Sequence, residues 1–297
     1  MGAALAEASR AARDTFQEVD EALGQNLFKL MREGPEDELK LTENAQAAIM
    51  AHAIAVFAAL TKEGGVELRK AAQFVAGHSL GEYSALCAAG TFALPNTAKL
   101  LKIRGQAMQA AVPVGVGAMA ALLGADVELA NKIAEAAAKG EVCEVANDND
   151  PSQVVLSGHA GAIERAIGMA KEMGAKRAVQ LPVSAPFHCS LMQPAAEAMA
   201  DALSYEVLQA PAVPLYANVT AQPTSDPDTI RSQLVEQVTG MVRWRESIAN
   251  MAAAGVDEFV ELGGKVLGPM VKRIAPEAKV TSVVTIEDIE ALAKEIA

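Results

Sequence analysis

Phe74-Val75-Ala76-Gly77-His78-Ser79-Leu80-Gly81-Glu82-Tyr83-Ser84-Ala85-Leu86 reads as a short apolar strand, a tight turn and the start of a helix. Its centre has the spacing G-x-S-x-G, in which glycines two positions either side of Ser79 relieve crowding in a strained strand-to-helix turn. The spacing makes Ser79 a candidate nucleophile, exposed at the C-terminal end of a strand. The helix that follows aims its first free N–H groups, and the positive end of its dipole, at charge developing on an oxygen beside Ser79. The N–H of Leu80 is the expected first oxyanion donor. Short matches to this pattern arise by chance in many proteins, so the strand, turn and helix around it carry the reading.

Working outward, apolar residues at helical spacing (Leu5, Ala8, Ala12, Phe16, Val19, Leu23) predict one amphipathic helix over residues 3–23. A short helix over 26–32 and a Gly34-Pro35 break follow. Thr42 is then a plausible N-cap for an alanine-rich helix that ends near Gly64-Gly65. After the elbow comes a helix over 96–111, and Pro113-Val114-Gly115-Val116-Gly117 has the composition of a hinge. Between 118 and 183 the pattern reads strand, helix, strand, strand, helix, strand, the β-α-β-β-α-β order of a ferredoxin-like unit. Helices over 194–203, 227–238 and 244–254 and strands over 213–219, 258–262 and 280–284 then alternate, which predicts a parallel α/β sheet. The division expected is a large subdomain over 1–116 and 184–297, with residues 117–183 inserted as a small one. In parallel sheets functional sites gather at the carboxyl ends of strands, where Ser79 falls.

With 297 residues, 51% of them hydrophobic, a sizeable core is expected. A net charge of −12 provides no basic field for phosphates and argues against a nucleic-acid partner. Cys87, Cys143 and Cys189 are odd in number and lack paired spacing, as suits free thiols in a reducing cytoplasm. Residues 1–30 mix acids and bases without the apolar run of a signal peptide. The most apolar stretch, 45–60, is interrupted by Gln46 and His52 and reads as a buried helix, so no membrane association is expected.

A serine needs a base to take its proton, and four histidines are available. His52 lies in the apolar helix, His159 precedes a helix, and His78 neighbours Ser79 in a turn whose adjacent side chains point apart. His188 follows a predicted strand in Pro182-Val183-Ser184-Ala185-Pro186-Phe187-His188, a loop able to aim a ring into a cleft. His188 is favoured, and the residues alone leave the choice open.

Several stretches occur in order: Gly77-His78-Ser79-Leu80-Gly81-Glu82-Tyr83-Ser84-Ala85-Leu86, Arg104-Gly105-Gln106-Ala107-Met108-Gln109, Gly117-Ala118-Met119-Ala120-Ala121, Asn147-Asp148-Asn149-Asp150-Pro151-Ser152-Gln153-Val154-Val155, Ser184-Ala185-Pro186-Phe187-His188 and Val242-Arg243-Trp244. Together, over nearly the whole chain, they resemble the bacterial malonyl-CoA:acyl carrier protein transacylases. The resemblance implies an α/β-hydrolase-like large subdomain interrupted by the ferredoxin-like one. It implies Ser79 as the residue that carries the malonyl ester and His188 as its general base and later acid. It further implies that the main chain of Gln237 orients the imidazole in place of a carboxylate. Arg104 would pair with the malonyl carboxylate, a task suited to a forked guanidinium that keeps its charge. Asn149 would line the cleft, and the bulk of Phe187 would disfavour an α-methyl branch. The partners implied are malonyl-CoA and an acyl carrier protein, in fatty acid synthesis, with no metal or bound cofactor. Lys265, Lys272 and Arg273 are one candidate basic patch for an acidic carrier.

The family pattern begins with an apolar strand and a Gly-Gln-Gly-Ser-Gln loop that supplies a second oxyanion donor, whereas this sequence starts at the Met-Gly that follows. Met1 is therefore expected to be an internal methionine of a longer protein. Two other readings compete: a serine acyl hydrolase of esterase or patatin type, and a non-catalytic scaffold that docks carrier protein or CoA.

Overall fold

In the computed structural model, which describes residues 1–296, strand β1 is only two residues long, Val75–Ala76. Gly77 stops it. A Cβ on Gly77 would lie 1.9 Å from the Gly81 carbonyl oxygen, an approach that no other residue permits. Gly81 meets nothing within 4 Å at the same test, so the crowding expected on both sides of Ser79 falls on one. Ser79 itself takes φ 54° and ψ −113°, an unfavourable backbone for a residue with a side chain, and the helix Leu80–Ala88 begins at once.

The segment after Val116 folds as its pattern predicts. Strands β2 (Gly117–Leu123), β3 (Cys143–Asp150), β4 (Gln153–His159) and β5 (Arg177–Gln180) form one sheet in the order β3-β4-β2-β5. Every neighbouring pair in it is antiparallel. Helices Val127–Ala138 and Ala160–Ala170 cover one face, burying Leu122, Ile133, Val154, Leu156 and Ile163. The other face, with Met119, Ala121, Ala146 and Val155, packs under Leu181 and Phe187. Burial on both faces explains why these strands read as apolar runs instead of alternating ones.

The larger part has the parallel pairing expected, divided between two small sheets. β6 (Leu215–Tyr216) runs parallel to β1, with Val75 opposite Leu215, and β7 (Pro223–Thr224) is antiparallel to β6. β8 (Glu258–Leu262) and β9 (Lys279–Val283) form a separate parallel pair. The strand predicted over 213–219 is thus reduced to two residues. β1 and β8 each pair along one edge only, and Val260 is 40% exposed.

Helices carry most of the larger core. Thr42–Glu63 is the one helical segment among the described residues long and apolar enough to cross a membrane, with mean hydropathy 1.4, but 72% of that window is buried against the rest of the chain. The helix Leu94–Ala110 approaches the first turn of this segment so closely that a Cβ on Gly105 would sit 2.5 Å from the Glu43 Cα. Thr42 is its first helical residue and Leu41 holds the cap position. The single helix predicted over 3–23 is two, because Ser9 adopts extended backbone and accepts the Ala12 N–H, capping a second helix where periodicity alone saw continuity. A C-terminal helix, Ile286–Ile296, closes the order.

The joint at 113–117 does not hang the small sheet from a free hinge. Asp148 N–H donates to the Val242 carbonyl and Val242 N–H to the Ala146 carbonyl, both at 2.9 Å, so β3 is bridged to the larger part. Arg245 meets the buried Asp148 carboxylate at 2.8 Å, and Arg273 meets Asp150 at the same distance. Lys272 donates to the Ala278 carbonyl. Two of the three cations expected to form a docking patch are therefore engaged within the chain.

The elbow geometry separates the two glycines. Gly77→Ala forces backbone apart and is expected to destabilise the protein by about 3 kcal/mol, lowering the unfolding temperature by roughly 6–10 °C. Gly81→Ala should unfold within about 2 °C of the parent, by the same scale. Thermal melts of the two variants side by side check this, and equal losses would contradict it.

Candidate active site

The side-chain amide of Asn218, just beyond β6 and 1% exposed, clamps the elbow from both ends. Its Oδ1 accepts the Ser79 N–H at 2.7 Å and its Nδ2 donates to the Gly77 carbonyl at 2.7 Å. So held, Ser79 directs its Oγ to His188 Nε2, 2.7 Å away. His188 stands at φ 57°, a left-handed turn of the loop that swings the ring inward. Its Nδ1–H donates to the Gln237 carbonyl at 2.8 Å, which fixes the tautomer and leaves the Nε2 lone pair for the serine hydroxyl. Burial, and next the Arg104 charge, push the imidazole down to about 3. The ring is neutral over the physiological range.

The other histidines have structural partners. His52 Nδ1–H donates to the Gly263 carbonyl at 3.0 Å, pinning the Gly263-Gly264 turn to the core helix. His159 Nδ1 accepts the Val142 N–H at 2.9 Å. His78 points away from Ser79 and donates from Nε2 to Asn149 Oδ1 at 2.8 Å, so Asn149 lies beneath the elbow, 5% exposed, and braces the residue before the nucleophile. Phe187 is half-buried and bridges the larger core and the outer face of the small sheet. Leu80 is the first residue of the elbow helix, so its N–H has no acceptor within that helix.

Arg104 is 1% exposed, although its surroundings in sequence resemble a solvent-facing helix stripe. Nη1 donates to Gln46 Oε1 at 2.6 Å, and Nη2 donates to Gln237 Oε1 at 2.8 Å and to Ser79 Oγ at 3.2 Å. Its Nε is buried with no partner. Glu82, the nearest acid in this network, is reached through the Gln237 amide, whose Nε2 donates to Glu82 Oε2 at 2.5 Å and to the Ser79 carbonyl at 3.0 Å. Burial pushes the Glu82 carboxyl up to about 8.

Gln46, Glu82 and Asn218 were not singled out from the sequence. Gln46 left a trace as a polar break in an alanine-rich helix. Ser79-x-x-Glu82 has capping-box spacing, yet the serine hydroxyl turns to His188 and makes no cap. Asn218 left no local signal. Cys189, beside His188, is packing: its Sγ–H donates to the Pro186 carbonyl, and burial pushes the thiol up to about 11. Among the described residues no group of three His, Cys, Asp or Glu could hold a metal.

The arrangement is a serine alcohol with a neutral imidazole ready to take its proton and a caged guanidinium alongside. It suits nucleophilic attack on an activated acyl carbon, with a preference for an acyl group that carries its own negative charge.

Comparison with known proteins agrees with this chemistry. Residues 1–267 match the family model described as acyl transferase domain. The malonyl CoA-acyl carrier protein transacylase of Escherichia coli K12 is 44% identical over 262 residues, covering 88% of this chain and 84% of its own. The crystal structure of acyl-carrier-protein-S-malonyltransferase from Bartonella henselae superposes with a TM-score of 0.97 at 53% identity, covering 100% of this chain and 94% of its own. A structure described as a type II polyketide acyl-carrier protein in complex with its malonyl-transacylase matches at a TM-score of 0.95 and 36% identity, covering 99% of this chain and 94% of that one. The chain belongs to the acyl transferase domain family.

Proposed function

We propose that the chain moves a malonyl group from malonyl-CoA to the phosphopantetheine thiol of an acyl carrier protein, through a malonyl ester on Ser79. The observation that carries this reading is the buried Arg104, with an unpartnered Nε and with Nη2 only 3.2 Å from an Oγ that is itself 2.7 Å from a neutral histidine. A hydrolase of neutral esters has no use for a desolvated cation at that point. The relatives named above act on malonyl-CoA or carry an acyl carrier protein in their names, which supports both substrates.

In the first half-reaction His188 Nε2 takes the Ser79 proton as Oγ attacks the thioester carbonyl. The Gln237 carbonyl steadies the imidazolium, and the Leu80 N–H faces the developing oxyanion. The tetrahedral intermediate collapses, the C–S bond breaks, and the imidazolium returns its proton to the CoA sulfur. In the second half-reaction the carrier thiol gives its proton to His188 and attacks the serine ester, and Ser79 leaves as the alcohol. Arg104 holds the carboxylate throughout. Asn149 acts through His78 and the elbow, and Phe187 sets the width available at the α-carbon. We assign the pathway to fatty acid synthesis, the subdomains to 1–116 with 184–297 and 117–183, and the location to the cytoplasm, a compartment that suits the three free cysteines.

Incubation with malonyl-CoA should add one malonyl group to the intact chain, and Ser79→Ala should abolish it; an adduct that persists in that variant refutes the assignment. His188→Ala should slow acylation by about 10²–10⁴, read from the rate of adduct formation. Transfer measured with and without carrier protein separates a transferase from a hydrolase.

Because the folded imidazole lies near 3, kcat/KM for malonyl-CoA should show no ionisation near 6.5, the ordinary histidine value. It should hold level as pH falls from about 7 to about 5. A rate that halves near 6.5 would mean that the base is not this buried ring. The same depression means the unfolded chain binds this proton more readily, so His188 withdraws stability as pH falls below about 6.5 and on toward the folded value.

A further inference from the structure

We propose that Glu82 is a positioning residue for acyl-group recognition: by accepting from the Gln237 amide nitrogen it fixes which way that amide faces, and so holds the Arg104 guanidinium beside Ser79. The inference rests on the malonyl-recognition role given to Arg104 above.

Hydrogen-bonding capacity leaves one arrangement for the Gln237 side chain. A guanidinium only donates, so Gln237 turns Oε1 to Arg104 Nη2, at 2.8 Å. The amide nitrogen then has two hydrogens to place, and its two near acceptors are the Ser79 carbonyl at 3.0 Å and Glu82 Oε2 at 2.5 Å. Asn218 Oδ1, at 3.4 Å, is more distant and already accepts from Ser79 N–H. Turning the amide over would set its NH₂ against the guanidinium and its oxygen against two oxygens. Gln237 is 0% exposed and Glu82 1%, so water cannot replace either partner. Without the Glu82 carboxyl one amide hydrogen loses its acceptor in a sealed site, and the sense of the amide is no longer enforced.

The role does not depend on the charge of Glu82. Its Oε1 has no partner and is the place for a proton, and Oε2 accepts in either form. Glu82 also contacts neither Ser79 Oγ nor the imidazole, which is held by the main-chain oxygen of Gln237, not its side chain. Loss of Glu82 therefore falls on the acyl carboxylate's partner and spares the base.

The test compares Glu82→Leu with the parent chain, using malonyl-CoA and acetyl-CoA, which share the thioester but differ in the distal carboxylate. Acylation of Ser79 is followed by intact mass over a single turnover. The leucine variant should lose about tenfold or more of the malonyl-over-acetyl preference in kcat/KM, chiefly through KM for malonyl-CoA, with acetylation little changed. Glu82→Gln, which keeps an acceptor oxygen, should retain most of the preference. Equal loss toward both thioesters in Glu82→Leu, with the preference intact, overturns the proposal, as does a glutamine variant no better than the leucine one. If Glu82→Leu does not fold, Glu82→Met, which keeps the length of the side chain but offers the amide no acceptor oxygen, is read the same way: a lost preference supports the proposal and an intact one overturns it. A parent enzyme with no preference for malonyl would remove the underlying role of Arg104 instead, so the two failures are distinct.

Discussion

A guanidinium kept from water is the constraint around which the site is built. Moving an isolated charge into a protein interior costs several kcal/mol even after relaxation, unless hydrogen bonds and opposite charge offset it. Arg104 is 1% exposed, and the offset comes from two glutamine oxygens and the Ser79 hydroxyl. No carboxylate pairs with it directly, so the cage is adequate and incomplete, with Nε left over. Under the function proposed, an acyl group that brings a carboxylate would complete the cage, and one that does not would leave it as it was. The need for Gln46 explains a polar residue in the most apolar helix, and the close approach at Gly105 brings the two helices near enough for the contact.

The second constraint is the backbone of Ser79. A serine at the start of a helix ordinarily caps it, a contribution of about 1 kcal/mol. Here the hydroxyl is withdrawn to His188, Asn218 takes over the Ser79 N–H, and Glu82, free of its reciprocal capping role, is available to Gln237. Capping and nucleophilicity compete for the same atom. The hydroxyl goes to His188 and the helix forgoes its side-chain cap, while Asn218, 139 positions away, fills the place of the capping-box glutamate at the Ser79 N–H.

How much of this the sequence disclosed follows from that distance. The elbow was legible because its glycine requirement is local, and the small sheet because its strands and helices alternate at regular spacing within about sixty residues. His188 could be favoured from its loop, but only the 2.7 Å contact with Ser79 separates it from the other three histidines. Asn218 and Glu82 were not legible, since each acts through partners whose proximity is a product of the whole fold. The parallel pairing of the larger part was legible, but its division was not: apolar runs near 75, 215, 260 and 281 predict strands but not which edges meet. Ser9 broke a helix that periodicity joined, because one side-chain oxygen satisfying one N–H outweighed a continuous apolar stripe.

β3 connects these constraints to the rest of the molecule. Its run Asn147-Asp148-Asn149-Asp150 sends Asp148 and Asp150 to Arg245 and Arg273, and Asn149 to His78 behind the nucleophile. Both carboxylates are almost fully buried, so their arginines cannot be released to an outside partner without stranding a charge. The small sheet is thereby held in place against the elbow by charge, not merely attached through the 113–117 joint. Phe187, wedged between the two cores, sits in that fixed frame. Under the function proposed, selection by acyl shape would reside in the standing geometry of the site, and selection by acyl charge in the unfinished cage of Arg104.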